Sequence, residues 1–179
     1  MRHLFPIFFF TSLSFGAHAQ NSKAHIEAYN EHGCQPLTTE FSLEGADENV
    51  VWTINGRTLK GNYQRIEFKE AGVYNVSATY VKNGQKVTVT EERLVEVYPN
   101  PHPNFEVNAS ENLLEATPTI GSNYAWYMAD GTKIDNESYQ LQLSNLSPGE
   151  YVIMMEETNS LGCSQKSAPQ AVAVLASNN

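Results

Sequence analysis

Apolar residues in this chain alternate with polar ones and show no sustained helical period. Trp52 and Ile54 share one phase with Tyr74, Val76 and Ala78, while Thr53, Asn75, Ser77 and Thr79 occupy the other. A period of two marks strands with one buried face. Short β-rich runs bounded by Gly, Pro and Asn predict strands near 24–29, 37–43, 50–54, 64–68, 73–81 and 86–97. Asn83-Gly84 predicts a tight hairpin between the last two, because both residues tolerate positive φ. On the last run, Val87, Val89, Leu94, Val95 and Val97 are available to a core.

The pattern then breaks. Pro99, Pro101 and Pro103 cannot continue a ladder and favour a stiff, extended segment. Beyond them, strands are predicted near 104–107, 113–117, 124–128, 139–143, 151–157 and 171–175, with a hairpin at Leu161-Gly162. The inward phase here holds Tyr124, Trp126, Met128, Tyr151, Ile153 and Met155. The outward phase holds Tyr127, Val152 and Met154, which are apolar where the first half is polar.

The two halves repeat one phrase. Tyr74 follows Trp52 by 22 residues, in Gly72-Val73-Tyr74; Tyr151 follows Trp126 by 25, in Gly149-Glu150-Tyr151. A Trp-bearing strand, then a Gly-x-Tyr turn entering a long alternating strand, marks an immunoglobulin-like β-sandwich. The expectation is an all-β chain of two such sandwiches, at 20–98 and 104–179, joined by a Pro-rich linker at 99–103.

Residues 1–19 fall outside that pattern. Arg2 and His3 precede an apolar stretch from Leu4 to Phe15, and Ala17-His18-Ala19 forms a small-x-small cleavage signal. This predicts a secretory signal peptide and export to the periplasm, cell surface or medium. The apolar stretch is too short to span a bilayer, and no later run is apolar enough to do so. The remaining chain is acidic and unevenly so. Residues 20–98 carry eight Lys/Arg against eleven Asp/Glu, and residues 104–179 carry two against nine. Such a surface disfavours nucleic acid and anionic membranes and favours solubility.

The residues after these turns resemble a known family. Gly33-Cys34-Gln35-Pro36-Leu37 followed by a Trp strand and Ala71-Gly72-Val73-Tyr74-Asn75-Val76 is similar to the polycystic-kidney-disease (PKD) type of immunoglobulin-like domain. Tyr124-Ala125-Trp126-Tyr127, Ser147-Pro148-Gly149-Glu150-Tyr151 and Asn159-Ser160-Leu161-Gly162-Cys163 resemble the immunoglobulin-like repeats that accompany it. The resemblance implies a surface or secreted protein of Gram-negative bacteria that use type IX secretion and gliding motility. The family's Trp strand runs into an acidic Phe-Gly-Asp-Gly turn; here Trp52 is followed by Thr53-Ile54-Asn55-Gly56, so no acidic role passes to that turn. A second resemblance competes: Val97-Tyr98-Pro99-Asn100-Pro101 is similar to the opening of a type IX C-terminal sorting domain. Trp126 in a core strand and the extra Gly-Cys hairpin belong to the immunoglobulin-like reading instead.

In that fold Cys34 lies in the turn after the first strand, at the pole facing the second sandwich. Cys163 lies in the last hairpin of the second sandwich, at the pole facing the first. This predicts a Cys34–Cys163 disulfide across the joint, with free thiols or an intermolecular bridge as the alternatives.

Catalytic chemistry finds little footing. His25, His32 and His102 fall on an edge strand, a turn and the linker, and a strand-and-turn setting gives His25 and His32 no reason to converge. There is no Cys-x-x-Cys pair, nucleophile elbow, phosphate loop or His-Glu-x-x-His. Asp130, Asp135 and Glu137 flank one turn, and Asp47, Glu48 and Asn49 form another; neither supplies the six to eight oxygens that calcium takes. The expectation is no catalytic residue, cofactor or metal. The chain reads as an exported adhesion, assembly or scaffold protein that binds another protein of the cell envelope. Tyr127, Val152 and Met154 are the candidate contact patch, unless linker or loop residues cover them. The alternatives are a carbohydrate-binding module, with a glycan as partner, and a type IX secretion cargo with a divergent C-terminal sorting domain.

Overall fold

The computed structural model describes residues 23–46, 49–108 and 110–175. The signal-peptide reading at 1–19 and the acidic pair Asp47 and Glu48 lie outside the described residues. The first eight strands are β1 (His25–Tyr29), β2 (His32–Cys34), β3 (Leu37–Glu44), β4 (Val51–Ile54), β5 (Arg57–Lys60), β6 (Tyr63–Phe68), β7 (Gly72–Lys82) and β8 (Gln85–Tyr98). They form a three-stranded sheet, β1-β3-β6, and a five-stranded sheet, β2-β8-β7-β4-β5. The next eight are β9 (Phe105–Asn108), β10 (Leu113–Ala116), β11 (Asn123–Met128), β12 (Lys133–Ile134), β13 (Gln140–Gln142), β14 (Gly149–Thr158), β15 (Ser164–Lys166) and β16 (Gln170–Val174). They repeat the plan: β13-β10-β9 forms one sheet, and β12-β11-β14 with β15 and β16 on the far edge of β14 forms the other. Among the described residues, no ladder joins the two sets.

Each pair of sheets encloses its own core, and the fold is that of immunoglobulin-like β-sandwiches. In the first, Phe41, Leu43, Ile66 and Phe68 of the small sheet meet Trp52, Ile54, Val76, Ala78, Val95 and Val97 of the large one. In the second, Phe105, Leu114, Ala116 and Leu141 meet Trp126, Ile153, Met155, Val172 and Val174. The alternation assigned these faces because adjacent residues on a strand point oppositely. Outside the first core, Ser77 and Thr79 of β7 bond Thr90 and Thr88 of β8 through their hydroxyls, each pair at 2.9 Å.

Both tryptophans are completely buried. Their indole N–H groups find equivalent partners: Trp52 Nε1 donates to the Gly61 carbonyl at 2.7 Å, and Trp126 Nε1 to the Ser138 carbonyl at 2.8 Å. The repeated tyrosines are equivalent too. Tyr74 donates its hydroxyl to the Glu70 carbonyl and Tyr151 to the Ser147 carbonyl, each at 2.7 Å and four residues upstream. This is the tyrosine corner of immunoglobulin-like domains, formed twice. The Gly-x-Tyr phrase is its sequence trace, since Gly72 and Gly149 each lie under the ring that folds back over them. Tyr74 packs on Phe68, ring centroids 4.6 Å apart, and Trp52 meets Phe41 at 6.1 Å, within one core. We expect Tyr74→Phe to cost about 1 kcal/mol, the net worth of one hydrogen bond, with the ring contact retained. Urea unfolding checks this; a neutral substitution would mean the corner adds nothing.

Four short strands were not anticipated: β2, β5, β12 and β15. All are polar or only two to four residues long, so alternation had little to register. β5 did carry a signal, because Asn55 and Gly56 both adopt positive φ, 48° and 71°, in the turn that enters it. The strand expected at 139–143 is shorter, Gln140–Gln142, and a 3-10 turn at Leu143–Asn145 follows. Leu143 stays buried in that turn, so its apolar character reflects the core and not strand geometry. The Asn83-Gly84 hairpin forms as expected, both residues at positive φ.

Candidate functional site

Two places combine unusual residues with defined geometry: the joint between the sandwiches and the outer face of β11 and β14. The joint is built from the β2–β8 ladder. β2 runs parallel to β8, with His32 opposite Glu96, Gly33 opposite Val97 and Cys34 opposite Tyr98. Cys34 is therefore not in a free turn, as the sequence suggested, but ends a short strand beside the last residue of β8. That register carries it to the pole where the chain leaves the first core. Gln35 N–H donates to the Tyr98 carbonyl at 3.0 Å, and Asn100 Nδ2 donates to the Gln35 carbonyl at 2.7 Å.

From the other side, Cys163 sits in the turn between β14 and β15. Asn159 organises this turn. Its side-chain oxygen accepts from the N–H groups of Leu161 and Cys163, each at 3.0 Å, and its Nδ2 donates to the Pro99 carbonyl at 2.9 Å. Cys34 and Cys163 are disulfide-bonded, Cα atoms 5.5 Å apart, across 129 residues of chain. Cys163 is fully buried. The bond and three side-chain or backbone hydrogen bonds thus converge on residues 98–100, where the proline segment begins.

The outer face of the second large sheet is the other candidate. In the β11–β14 ladder Tyr127 lies directly opposite Met154, and in the β14–β16 ladder Val152 lies opposite Ala171. The register therefore gathers the three outward residues. Val152 is exposed, whereas Tyr127 and Met154 are half-buried. Neighbouring side chains cause part of that cover: Lys166 Nζ lies 4.1 Å from the Tyr127 ring centroid. A cation over an aromatic face is attracted by the ring quadrupole. A hydrogen bond to the Glu156 carboxylate, followed by desolvation, raises the Tyr127 phenol above the usual tyrosine range. Lys166 faces Glu156 across the β14–β15 ladder, so ring, cation and carboxylate form one cluster. Ala171 and Ala173 of β16 continue the apolar surface past Val152.

The acidic turn of the second half is occupied by local bonds. Asp130 accepts from the Thr132 N–H at 2.9 Å, which together with the Thr132 side chain lowers its pKa from the usual carboxylate value. Glu137 pairs with Lys133 at 3.3 Å, and Asp135 is exposed. One cluster escaped the sequence reading. His25 does not meet His32, but it lies beside Glu27 and Glu44 on the outer face of the small sheet, all three exposed.

No protein-family model matches the chain. No curated protein matches it in sequence. Among solved structures, the fibronectin(III)-like modules of Clostridium thermocellum CbhA align over 83% of this chain and 91% of theirs, at 14% identity and a TM-score of 0.39. Murine CEACAM1b aligns over 85% of this chain and 98% of its own, at 14% identity and a TM-score of 0.36. A structure concerned with host cell surface retention of a bacterial ice-binding adhesin aligns over 85% of this chain and 64% of its own, at 12% identity and a TM-score of 0.38.

Proposed function

We propose that this chain is an exported, non-catalytic element of the cell envelope that holds a protein partner on the outer face of its C-terminal sandwich. In this reading residues 1–19 are a signal peptide. The domains are 20–98 and 104–179, with 99–103 as the linker. The N-terminal domain is of the PKD type, and the protein belongs to a surface assembly of the kind served by type IX secretion and gliding. The observation that carries the proposal is the Cys34–Cys163 bond across the joint. Such a bond persists in oxidising compartments and not in the cytosol. It also fixes the angle between two sandwiches, a property that serves a spacer or scaffold. Among the described residues, no helix is long and apolar enough to cross a membrane.

The contact surface is Tyr127, Val152 and Met154. Exposed Val152 supplies apolar area, and the Lys166–Tyr127–Glu156 cluster beside it supplies polar and aromatic recognition at one edge. Interfaces concentrate energy in such aromatic anchors. Tyr127→Ser is therefore expected to cut partner recovery from native envelope severalfold while leaving the thermal midpoint nearly unchanged. A pull-down paired with a melting curve checks both. Undiminished recovery, or saturable binding on a glycan array, would contradict the reading. A large fall in the melting temperature would make Tyr127 a structural residue instead.

A further inference from the structure

We propose that His25, Glu27 and Glu44 form a binding site for a divalent transition-metal ion of the zinc class. The three side chains belong to two paired strands. His25 and Glu27 are two residues apart on β1 and so project from the same face. Glu44 of β3 is the register partner of His25. The ladder thereby fixes all three backbone positions before any ion arrives, which is the condition for a preorganised site.

The distances fit such an ion. His25 Nε2 lies 3.4 Å from Glu27 Oε1 and 3.6 Å from Glu44 Oε2. One ligand atom from each residue lies within 4.8 Å of the other two. A tetrahedral ion with bonds of about 2.0–2.1 Å sets its ligand atoms about 3.3–3.4 Å apart. The imidazole–carboxylate spacings are thus already close to one tetrahedral edge. An ion held between them would take one ligand atom from each of the three side chains. One imidazole nitrogen and two carboxylate oxygens suit zinc and its neighbours, whereas calcium and magnesium take all-oxygen sets of higher number. The cluster faces solvent, and β1 is an edge strand, so a fourth ligand can be water or a group from another molecule.

The test is titration calorimetry with zinc chloride on untagged protein, purified from cells that export it and stripped with a chelator. His25→Gln, Glu44→Gln and His32→Gln variants are compared. The side chains replaced are exposed, and circular dichroism is used to check that each variant folds. The expected result is one zinc ion per chain, with affinity reduced about tenfold or more by His25→Gln and by Glu44→Gln, and unchanged by His32→Gln. The proposal is overturned if wild type takes up no zinc, if either ligand variant binds as wild type does, or if calcium binds more tightly than zinc.

Discussion

Trp126→Ala is expected to lower the unfolding free energy by about 3–5 kcal/mol, as large-to-small changes at buried aromatic positions do. Three terms act together. The side chain is completely removed from water and lies near the middle of the sheet stack, opposite Met155 on β14 and Ile134 on β12. Its ring meets Phe105 edge-on at 5.1 Å, so the deletion also strips one face from the residue that anchors β9. The Ser138 carbonyl loses its 2.8 Å donor. Trp52→Ala should cost a similar amount, because it repeats the same burial and the same indole-to-carbonyl bond, with a tilted and more distant ring contact to Phe41 at 6.1 Å. Urea titration of each variant measures the effect. A loss below about 1 kcal/mol at either position would mean that the indole is not the centre of its core.

The second large effect concerns the joint. The disulfide closes a loop spanning 129 residues. By the chain-entropy model a loop of that length restricts the unfolded chain by about 5 kcal/mol. Cys34→Ser with Cys163→Ser is therefore expected to lower the denaturation midpoint clearly. The folded effect adds to this. Without the bond, the joint keeps three hydrogen bonds to backbone carbonyls, from Gln35 N–H to Tyr98, from Asn100 Nδ2 to Gln35 and from Asn159 Nδ2 to Pro99, each of modest net worth. The two sandwiches should then sample a wider range of angles, which small-angle scattering would register as a broader distance distribution. An unchanged midpoint and scattering profile in the double variant would show that the bond neither stabilises nor orients the pair.

Much of the fold was legible because period two is a strong signal where strands are long and one face is buried. β7 and β14 are eleven and ten residues long, and every inward residue named for them lies on the core side. The Trp and Tyr of each half were legible because a large aromatic at a fixed place beside a Gly-x-Tyr turn has few other homes. The disulfide followed from strand direction, although the detail was wrong: Cys34 is held by a parallel ladder to β8 and not by a turn. Parallel pairing of a three-residue strand leaves no local pattern. Neither does the His25, Glu27 and Glu44 cluster, which depends on the register that sets His25 opposite Glu44. The same holds for Tyr127. Alternation gave its face, but the placing of Lys166 over its ring depends on the β14–β15 hairpin register. Local periodicity assigns a side, and only the ladder assigns a neighbour.

We propose an exported pair of sandwiches locked by one covalent bond. Peptide mapping by mass spectrometry, under non-reducing conditions with free thiols blocked, tests it on the monomer recovered from outside the cytoplasm. The expected result is a chain that begins at Gln20 and a single linked peptide pair containing Cys34 and Cys163. Alkylated Cys34 in that monomer, or either cysteine bonded to a second chain, would contradict it.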